Sequence, residues 1–127
     1  MEILIAAHDE TMGEGLVQLA ERLGHRASRV TDSTELLKAC LRSDADLVLL
    51  DLELGPLKGV SLLGLLKEMD NAMLLVPIVA ANDHELECAV RSLGIFYYMI
   101  LPVSAEELGG VLESAGKRLS VGTHSAA

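Results

Sequence analysis

Aromatic residues are nearly missing from this chain. They make up 2% of it, there is no tryptophan, and the single Phe and both Tyr sit together as Phe96-Tyr97-Tyr98. The core must therefore come from Leu, Val, Ile, Ala and Met, within a composition that is 50% hydrophobic. Two cysteines, Cys40 and Cys88, are too few for a disulfide scaffold. Each falls in a helical apolar pattern, which predicts buried thiols in a reducing compartment. No run of Lys or Arg occurs and the formal net charge is −9, which excludes binding to a nucleic-acid backbone by this chain. No apolar run approaches the ~20 residues that span a bilayer. The opening Met1-Glu2-Ile3-Leu4-Ile5 lacks the basic region of a signal peptide and soon reaches His8-Asp9-Glu10. These absences predict a soluble cytoplasmic domain with no membrane partner. A length of 127 residues allows one domain with a real core.

What is present is an alternation of short apolar runs and helical patterns. Ile3-Leu4-Ile5-Ala6-Ala7 reads as strand one, and Leu16, Leu19, Ala20 and Leu23 as the stripe of the first helix. Gly24 follows as its left-handed C′ residue. His25 to Val30 is a second, weaker strand. Asp32 and Glu35 form a capping box before the helix of Leu36, Leu37, Cys40 and Leu41. Asp46-Leu47-Val48-Leu49-Leu50-Asp51 is the centre of the pattern, because four large apolar residues between two acids suit a strand buried on both faces. Asp51 then stands at the C-terminal end of that strand, where open α/β sheets place their chemistry. A polar residue marking where a strand surfaces would look the same.

Leu52 to Gly59, with Lys58, is a loop punctuated by Gly and Pro. A third helix carries Leu62, Leu63, Leu65, Leu66 and Met69. Pro77-Ile78-Val79-Ala80-Ala81 is strand four, beginning at Pro77 or near Leu74; proline cannot donate to a ladder and is expected at the start. Asn82-Asp83 caps a fourth helix closed by Gly94. Phe96 to Leu101 is strand five, stopped by Pro102. Ser104 and Glu107 form a second capping box, with Val103 against Leu108, for a last helix of Leu108, Val111, Leu112 and Ala115. Gly109 and Gly110 inside that helix cost about 1 kcal/mol each relative to Ala, so it is expected to be the loosest. Residues 1–118 form the domain, and 119–127 are expected to be a disordered tail or linker remnant. Alternating strands and helices build a parallel α/β sheet with helices on both faces.

With that alternation placed, Asp46 to Leu54 and Gly59, together with Gly94-Ile95-Phe96-Tyr97-Tyr98 and Pro102, resemble the receiver domains of bacterial response regulators. The resemblance spans about Glu2 to Gly116. It implies a flavodoxin-like (βα)5 sandwich with strand order 2-1-3-4-5, and Asp51 as the phosphoacceptor. It also implies helpers that this chain lacks. The acidic pair that holds a divalent cation falls at Ala7 and His8. The hydroxyl residue ending strand four falls at Ala81 or Asn82, and the lysine before the closing proline is Leu101. The cation and lysine would gather an anionic phosphoryl group against an anionic nucleophile, and the hydroxyl would couple it to a loop.

A magnesium ion binds poorly to a site built around one carboxylate. Loss of the lysine removes about 1–4 kcal/mol of attraction at ~4 Å in water-like to surface-like surroundings. No catalytic residue and no cofactor is therefore expected, with magnesium retained only under the alternative below. A register slip offers His8, Asp9, Asp51 and Glu53 as weak candidates for a softer ion. Equally, Asp9 and Glu10 suit the N-terminus of the first helix.

Tyr98 falls at the switch aromatic of the resembling family. With no hydroxyl residue to follow, it is expected to hold one rotamer set by packing. The resemblance makes the face of the fourth helix, fifth strand and fifth helix the contact surface, where aromatics favour protein partners or a homodimer. These readings predict a signalling interaction module, with a histidine kinase or downstream effector as protein partner, acting without ordinary phosphorylation of Asp51. The alternative is a working phosphoreceiver with an unorthodox metal site. A nucleotide-binding enzyme is disfavoured, because Ala6-Ala7-His8-Asp9-Glu10 is no glycine-rich phosphate loop.

Overall fold

The computed structural model describes residues 1–42, 45–57, 59–69 and 72–126, with side chains as far as Ser120. Lys58 and Ala127 lie outside the described residues. The described elements run β1 (Glu2–Ala6), α1 (Glu10–Arg22), β2 (Arg26–Val30), α2 (Ser33–Arg42), β3 (Leu47–Asp51), α3 (Gly59–Met69), β4 (Leu74–Val79), α4 (His84–Arg91), β5 (Met99–Ile100) and α5 (Ala105–Ala126). The five strands form one parallel sheet in the order β2-β1-β3-β4-β5.

The alternation of side chains along each strand divides the core into two layers. Leu4, Ala6, Val48, Leu50, Leu75 and Val79 face Leu36 of α2, Leu62, Leu63 and Leu66 of α3 and Val90 of α4. Ile3, Ile5, Leu47, Leu49, Val76 and Ile78 face Leu16 and Ala20 of α1 and Leu108, Val111 and Leu112 of α5. Leu47 to Leu50 are each fully buried, as a strand covered on both faces requires. Their burial carries Asp51 to the rim of the sheet, where it is half-buried.

Local signals set the helix ends. Asp9 caps α1 by accepting from Met12 N at 2.7 Å, with Glu10 in its first turn. Asp83 caps α4 through Leu86 N. Asp32 accepts from Glu35 N at 2.8 Å, but the Glu35 carboxylate turns to the Thr31 hydroxyl instead of closing the box on its cap. Ser104 likewise accepts from Glu107 N, while the Glu107 carboxylate takes the Tyr97 hydroxyl at 2.8 Å. Gly24 and Gly94 adopt φ of +92° and +86°, the left-handed turn that ends α1 and follows α4.

Four sequence expectations are corrected. Pro77 lies fourth in β4, opposite Leu50, and not at its start. The β4 carbonyls of Leu75 and Val79 accept from Phe96 N and Leu101 N, so the intervening odd residue, Pro77, also turns its backbone toward β5. Pairing with β5 begins only at Ile78, and the missing N–H therefore breaks no ladder bond. For the same reason β5 is two residues long and not the six of Phe96 to Leu101. Cys88 is exposed on α4 and Cys40 only half-buried, because both lie at the margins of their helical stripes. Finally, α5 continues past Arg118 to Ala126, over residues expected as a tail; that stretch holds no proline to stop a helix.

Candidate functional site

The site is built at the C-terminal rim of β1, β3 and β4. Asp51 ends β3, and its Oδ1 accepts from Glu53 N at 2.9 Å, an Asx turn that fixes the carboxylate at the start of the following loop. Burial pushes the Asp51 carboxyl above the ordinary carboxylate range. The Glu53 amide opposes that shift, the Glu53 and Asp9 carboxylates add to it, and His8 opposes it in turn. Ionised Asp51 is thus held beside two acids with little to neutralise it.

Asp51, Asp9, Glu53, Ala80, Leu101 and Pro102 share one groove of about 830 Å³ with residues of α1. Leu101 supplies an apolar wall where a lysine would stand, and its N–H donates to Val79 O at 2.9 Å, which fixes its place beside β4. The residue that enters the groove from the end of β4 is Ala80, one position before the expected Ala81 or Asn82. Ala81 and Asn82 are both exposed beyond it. No hydroxyl stands at any of the three positions.

Ala7 is buried and brings only a methyl group to the rim, while His8 is exposed and lines a neighbouring cleft with Glu10, Arg29, Thr31, Asp32 and Glu53. Asp9 is already committed as the cap of α1. Among the described residues, no three His, Cys, Asp or Glu side chains converge closely enough to hold a metal ion.

Two residues of the site escaped the sequence reading. Arg29, at the end of β2, reaches across β1 and donates from Nε to Ala7 O at 3.1 Å and from Nη2 to His8 O at 2.9 Å. Its side chain is 14% exposed and runs past Gly13 of α1 toward Glu14, 3.9 Å away. A Cβ on Gly13 would lie 2.4 Å from Arg29 Nε, so glycine there leaves room for the guanidinium. Ser33, the one buried polar side chain of its helix, accepts from Leu57 N at 3.0 Å, and its own amide donates to Gly55 O at 2.8 Å. The loop after Asp51 is thereby clipped to α2. An arginine in a half-exposed strand and a serine in a helical first turn are individually unremarkable, and only their partners reveal them.

Tyr98 is buried in the layer that includes Val79 and Val90, with the Arg91 guanidinium 5.7 Å from its ring centre. Its hydroxyl is buried, with the Asp83 backbone as the polar group that bears on it and no geometrically regular hydrogen bond among the described residues. Burial lifts the phenol above its usual range. Tyr97, in contrast, is exposed at its tip and tied to Glu107 on α5.

A five-stranded parallel sheet in this order, with an aspartate at the rim of its central strand, defines a receiver fold. The family model for the response regulator receiver domain matches residues 3–113, and the chain belongs to that family. It is 30% identical over 142 aligned positions to the sensory transduction protein RegX3 of Mycobacterium bovis, covering 96% of this chain and 62% of that protein. It is 33% identical over 107 positions to RegX3 of Mycolicibacterium smegmatis, covering 84% and 46%. The chain thus spans less than two thirds of the length of these relatives. A response regulator receiver domain protein from Clostridium thermocellum superposes with a TM-score of 0.88 at 23% identity, over 94% of this chain and 97% of that one. NtrX from Brucella abortus gives 0.90 at 21% identity, over 98% and 29%. The fold is the flavodoxin-like receiver sandwich of two-component signalling. Among the described residues no helix is long and apolar enough to cross a membrane.

Proposed function

We propose that this receiver works as a protein-interaction module of a signalling pathway, its partner binding set by surface contacts and not by magnesium-dependent phosphorylation of Asp51. The observation that carries the reading is the groove itself, where Asp51 faces Ala80 and Leu101 in place of a hydroxyl and a cation. The donors at hand do not fit a magnesium ion. Ala7 has no oxygen to offer, His8 brings nitrogen, Asp9 holds the cap of α1, and one oxygen of Asp51 is taken by Glu53 N. Tyr98 supports the same reading: its ring is packed inside without a hydroxyl residue to follow. Residues 1–118 act as the domain. A histidine kinase or downstream effector is the partner class, and the face of α4, β5 and α5 is the docking or homodimer surface, with Tyr97 and Ile100 exposed there.

The test is incubation with beryllofluoride or acetyl phosphate and Mg²⁺, followed by amide NMR. Unchanged shifts at Asp51 and Tyr98 are expected, and a stable adduct with shifts reaching Tyr98 would refute the proposal. One observation favours a second reading. The Glu53 and Asp9 carboxylates act on Asp51, a concentration of negative charge that invites a cation, and His8 lies near enough to share it. Under that reading Asp51→Asn abolishes signalling in the cell; under the first it changes little.

A further inference from the structure

The exposed thiol of Cys88 is not isolated. It stands one helical turn after His84 on α4, with Sγ 3.7 Å from His84 Nε2, and both residues are exposed. Neither belongs to the Asp51 groove. Bonds of ~2.3 Å to sulfur and ~2.0–2.1 Å to imidazole nitrogen, at a tetrahedral angle, place the two donor atoms about 3.6 Å apart. The pair therefore already stands at the donor separation of a chelate, and an ion would replace the thiol–imidazole contact between them.

We infer that His84 and Cys88 are a bidentate half-site for a thiolate-preferring divalent cation of the zinc class, completed by the same pair from a second copy of this chain. A thiolate and an imidazole select zinc over magnesium or calcium. Closed zinc sites carry four protein ligands, and one chain supplies two; among the described residues no third His, Cys, Asp or Glu joins them. A two-fold axis across α4 brings the missing two, because an isologous contact repeats the same pair. Binding displaces the proton of each Cys88 thiol to solvent and forms one metal–sulfur bond per chain, with no change of oxidation state.

The experiment is a Co²⁺ titration of the whole chain, kept reduced with a phosphine, read by absorption and by light scattering after size exclusion. Expected are a thiolate-to-cobalt charge-transfer band, strong visible bands of tetrahedral geometry, saturation at one ion per two chains, a doubled mass, and displacement of the colour by Zn²⁺. Cys88→Ser should lose the charge-transfer band and the dimer, and His84→Gln the tetrahedral bands and the dimer. Circular dichroism should stay unchanged, since both side chains are exposed. Cys40→Ser should behave as the parent. Absence of the band, its persistence in Cys88→Ser, or saturation with the chain still monomeric would overturn the inference.

Discussion

Arg29 and Gly13 make a lock whose strength can be worked out. Replacing Gly13 by Ala puts a methyl group 2.4 Å from Arg29 Nε, so the guanidinium must leave its place. It then loses its bonds to Ala7 O and His8 O. Hydrogen bonds from a charged donor contribute about 1.5–3 kcal/mol each, and the His8 bond is exposed, so the pair is taken as about 2–3 kcal/mol together. Against this, Ala gains about 1 kcal/mol over Gly within a helix. Gly13→Ala should therefore destabilise the domain by about 1–2 kcal/mol. In an Arg29→Ala background the obstruction is gone, and the same substitution should stabilise by about 1 kcal/mol. The double-mutant cycle in urea should thus give a coupling of about 2–3 kcal/mol with opposite signs for the two single steps. If Gly13→Ala were stabilising in both backgrounds, Arg29 would not be anchored as described.

Asp51→Asn should raise the melting temperature at neutral pH. The folded Asp51 carboxyl titrates above its ordinary value, so the native state binds more protons than the unfolded one in that interval and stability falls as pH rises through it. Melting curves at stepped pH should show the gain from Asn vanish below the ordinary carboxylate range, and a constant gain would contradict the assignment. His25 runs the other way. Burial and the adjacent N-terminal ammonium hold its pKa down, so acidification below the ordinary histidine value should weaken the fold, and His25→Asn should flatten that slope in denaturation at pH 5 and pH 7. Tyr98→Phe should change stability in urea by less than about 1 kcal/mol, since the buried hydroxyl it deletes has only an irregular contact with the Asp83 backbone; a larger loss would show that contact to be a full hydrogen bond. Gly110→Ala should stabilise by about 1 kcal/mol, because nothing lies within 4 Å of the added methyl.

The order and type of the elements were legible because periodicity is local. Leu47 to Leu50 announce a doubly covered strand, Asp9, Asp32, Asp83 and Ser104 announce helix starts, and Gly24 and Gly94 announce turns that need positive φ. The same locality placed Asp51 at the sheet rim, whereas the absence of a lysine at Leu101 was legible only through the resemblance to receiver domains. Where neighbours decide, the reading from sequence went astray. Proline sits inside β4 because β5 starts late, and only the sheet register shows that. Cys88 is exposed because the stripe of α4 turns toward Val90 and away from it. Arg29 acquires its role from carbonyls about twenty residues earlier and from the missing side chain of Gly13. The chain by itself determined the alternation, the sheet and the single rim carboxylate, because hydrophobic period and capping chemistry act over a few residues. Tertiary structure decided which groups surround that carboxylate, which residue after β4 faces it and which thiol meets solvent, because those depend on distances between segments that no local pattern encodes.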